Sequence, residues 1–586
     1  MSLPRLLSGV ILAFALRPAV AVPPSLQEAA GALDTAPEVV IYPAREIVTL
    51  ASGRPAVEAV AVSGDRILAI GTVDDLRRDA GPSARIDDRF AASVIVPGFI
   101  AQHDHPALAA LTLSSTIIAI EDWVLPEGTV PAAAGRDAYL RRLAEAERAC
   151  TDPDEPLVTW GYHPTFHGAL AKGDLDAISG TRPILVWHRS AHEFFLNSAA
   201  ERAVGIDRAW FDGLPESARA QADFAGAHYR EQGMFALLPK IAGVVASPTR
   251  MRRGLEFVKR YYHAAGVTLG SEPGGVASRK AQDAQNAVLG DPSTPFRWYY
   301  IADGKSVTAA VPDQRVAAET EKFLDWGRGM TAYLPRQVKL FADGAVFSLA
   351  MQLTEGYADG HDGEWMMEPA FFARSFRVYW DLGYRIHVHV NGDAGLDMVL
   401  DELERNQRRN PRPDHRTNVV HFAVSRPEQV ARIGRLGAIV SGNPYYPVAL
   451  ADEYRKHSLG AERADSMVRL GDVERAGIPF SLHSDMPMAP ARPLSLMEWA
   501  VRRVTRDGHL RGPEQRVGRE AALRGVTLDA AFALGLEKEV GSIEPGKLAN
   551  FTILADNPLT VPEEAIGGIP VLGTVQEGRL HPLPEP

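Results

Sequence analysis

The chain has a single cysteine, Cys150, among 586 residues. That excludes an intrachain disulfide and any cysteine-rich metal site. It has no basic excess either: 62 Lys and Arg against 73 Asp and Glu leave a net charge of −11. Nucleic-acid binding draws on clustered cations, so nucleic acid is not an expected partner. Beyond the N-terminal segment there is no run of 18 apolar residues, so membrane-spanning helices are not expected. Lysine is scarce, at ten residues, which makes one inside an apolar run informative. What is present is 46% hydrophobic and 23% charged residues, an ordinary balance for a folded protein. At about 100–200 residues per domain, the length suggests several units or one large core with additions. With thiols gone, the 17 histidines become the leading metal-ligand candidates.

The N-terminus has its own texture. Arg5 precedes the short apolar run Leu6 to Leu16, Arg17-Pro18 breaks it, and Ala19-Val20-Ala21 is a small-x-small cleavage pattern. Residues 1–21 therefore read as a secretory signal peptide, with a periplasmic or secreted product that is free of the membrane after processing. The other reading is an apolar start on a cytosolic enzyme, since Arg17 is unusual so near the cut.

Short β segments follow at 38–42, 57–62 and 66–70, with Ser63-Gly64-Asp65 turning a hairpin between the last two. Phe551 to Leu554 and Val571 to Val575 have the same texture. A small β-sandwich domain from residues 36–97 and 541–583 is expected. Between them, strand-like and helix-like runs alternate, as in a parallel α/β architecture. Strand candidates begin at Ser93, Gly266, Phe296, Val338, Arg385, Asn418, Ala438 and Pro479. Eight is the number a closed (β/α)8 barrel needs, so residues 98–540 are expected to form one. A ninth candidate, Pro183 to Trp187, is assigned to an insertion at about 110–250 after the first strand.

Possible metal ligands gather at the C-terminal ends of these strands. His103 and His105 flank Asp104 after the first; in an extended segment, i and i+2 point the same way, so both rings can face one ion. His389 ends the fifth strand, His421 lies in the sixth and Asp485 follows the eighth. Any one of these alone suits a polar core or surface residue; their recurrence at strand ends favours a site. Lys339 lies in the largely apolar run Gln337-Val338-Lys339-Leu340-Phe341. A buried ammonium is costly unless paired or chemically changed. Carboxylation would make it a bidentate anionic ligand; the alternative is a side chain turned to the helical layer or to a carboxylate.

Val96-Pro97-Gly98-Phe99-Ile100-Ala101-Gln102-His103-Asp104-His105 resembles the first-strand motif of the amidohydrolase superfamily. The segments 338–344, 389–393 and 484–487 resemble its family 3, the N-substituted formamide deformylase-like branch, and 541–550 resembles that family's return into the β-sandwich. The resemblance implies a hydrolase of a linear amide, N-acyl or N-formyl bond. It also implies one or two divalent ions, zinc foremost, on His103, His105, Lys339, His389 and His421, often with the lysine carboxylated. Asp485 is then the group that moves protons between water and the leaving nitrogen. Three positions depart from the pattern: Ala101 stands where Asp is common, Asp104 where an apolar residue is usual, and Asn550 where Asp is common. Glu272 is a competing bridging ligand.

The insertion supplies Trp160, Tyr162 and His192, which resemble family segments approaching the site and are candidate substrate contacts; packing of the insertion core is the alternative. A small-molecule amide is the expected partner, and self-association into a homo-oligomer is left open. Two other readings stay open: cyclic-amide hydrolysis or deamination on similar ligands, and a non-catalytic metal-stabilised binding protein. Metal stoichiometry discriminates the deaminase, and Asp485 argues against the binding protein.

Overall fold

The computed structural model describes residues 38–584 apart from 52–56 and 277. Residues 1–21, read above as a signal peptide, lie outside the described residues. Parallel strands sheathed by helices need apolar residues facing outward. Val338, Leu340, Ile386, Val388, Val419 and Val440 supply them and are fully buried. The strands are β1 (Phe99–Ala101), β2 (Val267–Pro273), β3 (Arg297–Asp303), β4 (Thr331–Phe341), β5 (Arg385–Val390), β6 (Asn418–His421), β7 (Ile439–Gly442) and β8 (Phe480–Leu482). They hydrogen-bond in that order as one parallel sheet. Just past the strand ends, Asp485 N–H donates to the His103 carbonyl at 3.1 Å and His105 N–H to the Met486 carbonyl at 3.0 Å. The chain leaving β8 thus lies against the chain leaving β1, and the curled sheet fits a (β/α)8 barrel.

The helices follow from sequence period. Asp393–Arg409 buries Leu396, Val399, Leu400 and Leu403 along one stripe, begins on Asp393 and ends on Arg408 and Arg409. That spacing and that charge order are those of an amphipathic helix with a complemented dipole. Inside the barrel the filling is polar rather than aliphatic. Ser441 Oγ donates to Gln102 Oε1 at 2.6 Å, and Gln337 Oε1 lies 2.9 Å from His387 Nε2.

One strand assignment needs correcting. Ser93 to Val96 is not the first barrel strand. Val94–Pro97 pairs with Val39–Ile47 and with Phe551–Leu554 in a different sheet, and the barrel begins at Phe99. The apolar run is unbroken across Gly98, which hides the change of sheet. A Cβ at Gly98 would fall 2.2 Å from Thr268 Oγ1, so only glycine lets the chain pass β2 so closely.

That other sheet draws on both ends of the chain. Its order is 579–582, 571–576, 551–554, 94–97, 39–47, 57–63 and 66–71, with 85–86 alongside 39–47. The expected hairpin pairs Ser63 with Arg66. The insertion forms a separate six-stranded sheet that includes Leu157–Tyr162, Ile184–His188 and Glu193–Leu196. Among the described residues, no helix is long and apolar enough to cross a membrane.

Candidate metal centre and active site

Register brings the candidate residues to one end of the barrel. Lys339 pairs with His387 between β4 and β5, Phe341 with His389, and Val390 with His421 between β5 and β6. His103, His105 and Asp485 present ligand atoms that all lie within 4.8 Å of one another. Asp485 Oδ1 is 3.4 Å from His103 Nε2 and 3.2 Å from His105 Nε2, and its Oδ2 is 3.8 Å from His421 Nδ1. The His421 ring stands 5.0 Å from that of His103 and 4.4 Å from that of His389.

The electrostatics suit ligands that must be neutral imidazoles and an anionic carboxylate. Burial, then the Lys339 charge, pushes His389 down to about 3. Burial also drives His103 and His421 well below the ordinary histidine range. His105 is the exception. Burial opposes its charge, but hydrogen bonds to Asp485 and Glu272 outweigh that and raise it to about 10. Asp485 is likewise opposed by burial, and the His105 bond and charge hold it below the usual carboxylate value. Glu272 Oε1 lies 3.3 Å from His105 Nδ1, which leaves Nε2 turned towards Asp485. A carboxylate behind a ligating imidazole fixes its tautomer and orientation.

Lys339 points into the barrel, not to the helical layer. Its Nζ is buried without a hydrogen-bond partner among the described residues, 5.6 Å from the Phe341 ring centre, and burial lowers the amine to about 7 against the opposing pull of Asp485. Gly274, at φ +76°, makes room: a Cβ there would lie 2.9 Å from Lys339 Cβ and Cγ.

The amidohydrolase family model matches residues 93–581. The chain belongs to the amidohydrolase family. It is 26% identical over 544 residues to N-substituted formamide deformylase of Arthrobacter pascens, covering 89% of this chain and 94% of that protein. An uncharacterised metal-dependent hydrolase from Pyrococcus furiosus superposes with a TM-score of 0.67 at 20% identity, over 89% of this chain and 100% of that one. A second, from Pyrococcus horikoshii, gives 0.68 at 18% identity, over 90% and 99%. These structures share the fold.

This amidohydrolase has site neighbours that the residue pattern did not single out. His483 is buried just past β8, its ring 4.8 Å from that of His103, and among the described residues neither of its nitrogens has a hydrogen-bond partner. Burial lowers it to about 4. Its place two residues before Asp485 was the available signal. Asn391 Nδ2 sits 3.0 Å from His389 Nε2, and the Tyr446 hydroxyl 3.5 Å from His421 Nδ1. Neither had a distinctive spacing.

The three insertion residues are placed differently. Tyr162 lies in the insertion's own core, its hydroxyl donating to the Gly168 carbonyl at 2.7 Å. Trp160 is buried edge-on to Trp123 at 5.3 Å. His192 is partly open, with Nδ1 3.0 Å from Glu231 Oε2, and its charge is felt at His389.

Proposed function

We propose that this amidohydrolase cleaves the C–N bond of a linear amide, an N-acyl or N-formyl compound, with one or two divalent ions, zinc being expected. The observation that carries the reading is the Asp485 carboxylate, 3.2–3.4 Å from two imidazole nitrogens at the C-terminal mouth of the barrel, where barrel enzymes do their chemistry. The donor set fits a cation. His103 Nδ1 is buried without a hydrogen-bond partner among the described residues, and His103, His389 and His421 are held neutral. His103, His105, His389 and His421 would hold the ion together with Lys339. When bound, a divalent cation acidifies water and polarises the scissile carbonyl.

Lys339 is suited to carboxylation. A buried amine lowered to about 7 is nucleophilic at neutral pH. Adding carbon dioxide forms one N–C bond, releases one proton and leaves a carbamate with two donor oxygens. Asp485 accepts a proton from the attacking water and returns it to the leaving nitrogen. His192, fixed by Glu231, contacts the substrate; Trp160 and Tyr162 shape the insertion that carries it. On this reading the two-termini sheet is the β-sandwich domain, residues 36–97 and 541–583, beside a catalytic unit at 98–540.

Elemental analysis of unchelated protein, followed by a panel of formyl, acetyl and cyclic amides and aminopurines, tests the reading. Stoichiometric metal with turnover of linear amides is expected. Metal-free protein overturns it, and ammonia release from an aminopurine with one ion bound turns it to deamination.

A further inference from the structure

Asp485 is an unusual place to put a proton-transfer group. It follows a strand of three residues and has φ +55°, a left-handed conformation uncommon outside glycine, although Asp and Asn adopt it more readily than other residues. Its own backbone has two ties, the N–H bond to the His103 carbonyl and a bond from Met488 N–H to its carbonyl at 2.8 Å. Both neighbours of Asp485 are gripped by one atom. Asp104 Oδ1 accepts from the Ser484 hydroxyl and, at 2.8 Å, from the Met486 N–H. Asp104 is itself buried, and its N–H donates to the Ser271 carbonyl of β2 at 3.0 Å.

We propose that Asp104 is a positioning residue for Asp485: its carboxylate clamps residues 484 and 486 and thereby sets the rotation of the Asp485 side chain towards His103 and His105. The proposal rests on the reading of Asp485 given under Proposed function. Two of the rings that meet Asp485 flank Asp104 in sequence, so a single tripeptide supplies both those imidazoles and the clamp. An apolar residue at 104 would leave the Ser484 hydroxyl and Met486 N–H buried without an acceptor, and the turn free to relax. A misplacement of about 1 Å in a reacting group can cost about 100-fold in rate.

The test compares D104A, D104N, S484A and D485N. Rates are measured on 4-nitroformanilide and 4-nitroacetanilide, metal content by elemental analysis, and the visible absorption of Co2+-loaded protein as a second readout. D104A should lose about 10- to 100-fold in kcat with KM and metal content unchanged, and its Co2+ spectrum should shift from that of the parent. Asparagine keeps an oxygen at Oδ1, so D104N should restore most of the rate and the parental spectrum. S484A, which removes one of the two grips, should fall between the parent and D104A. The clamp is overturned if D104A matches the parent in rate and spectrum, if D104N is as impaired as D104A, or if kcat falls only in step with lost metal. Should D104A fail to fold, S484A decides: parental rate and spectrum overturn the proposal. D485N separates the two ideas. D485N with parental kcat overturns the role of Asp485, whereas inactive D485N beside fully active D104A overturns the clamp alone.

Discussion

Replacing Lys339 by methionine should stabilise the metal-free protein while removing its activity. The amine is fully enclosed, without a hydrogen-bond partner among the described residues, and burial lowers it from 10.5 to about 7. Between those values the unfolded chain binds more protons than the folded one, so stability rises with pH across the window, and the penalty is complete below it. At a pH of about 7.5 the difference amounts to about 4 kcal/mol, shrinking to below about 1 kcal/mol near pH 10.5. Methionine, one atom shorter than lysine, keeps its unbranched Cβ and Cγ, so packing beside Gly274 is retained. Urea unfolding of chelated parent and variant at a series of pH values measures the gap. A variant no more stable than the parent at neutral pH would refute the reasoning, as would a gain that does not shrink as pH rises. Either result means that the amine has a partner in the folded state.

Asp485→Asn should keep the left-handed turn, which asparagine tolerates well, and should lower kcat by about 10²–10⁴-fold with metal retained; parental kcat would refute the assignment. Asp87→Asn should cost about 1–2 kcal/mol above pH 4. There the bonds from Arg89 and Arg85 hold the carboxyl at about 2, below its ordinary 3.8, and the figure is reduced for the two half-exposed guanidiniums. The parent should lose the same increment as pH falls from 4 to 2, and the asparagine variant should not, as acid titration of both will measure. Residues 1–21 should be missing from the exported protein, which mass spectrometry of native material checks; an intact N-terminus on cytosolic protein counts against it.

Much of this was legible in the residues because the strongest patterns were local. The runs around Val338, Ile386, Val419 and Val440 read as buried parallel strands, and His389, His421 and Asp485, expected at strand ends, lie near one another. Contacts between distant segments were harder to read. Glu272 is marked by its place at the end of a strand as a possible bridging ligand, but its position behind His105, across 167 residues, is not. The break at Gly98 was invisible because both sheets require the same apolar residues. Trp160 and Tyr162 illustrate a different limit. An aromatic residue is equally suited to a binding wall and to a core, and only packing shows that Tyr162 serves the latter.

The passage through Gly98 also bears on how the molecule is made. Gly98 N–H is bonded by the Asn550 carbonyl and Phe99 N–H by the Thr552 hydroxyl, the latter across 453 residues. The strand that leads into His103 is therefore anchored by a segment synthesised long after it. At about 5–20 residues per second, that delay is roughly 20–90 s. For that interval β1 lacks the bonds that Gly98 and Phe99 make to this segment. Residues 550–552 thus tie the start of the barrel to a strand of the other sheet near the end of the chain.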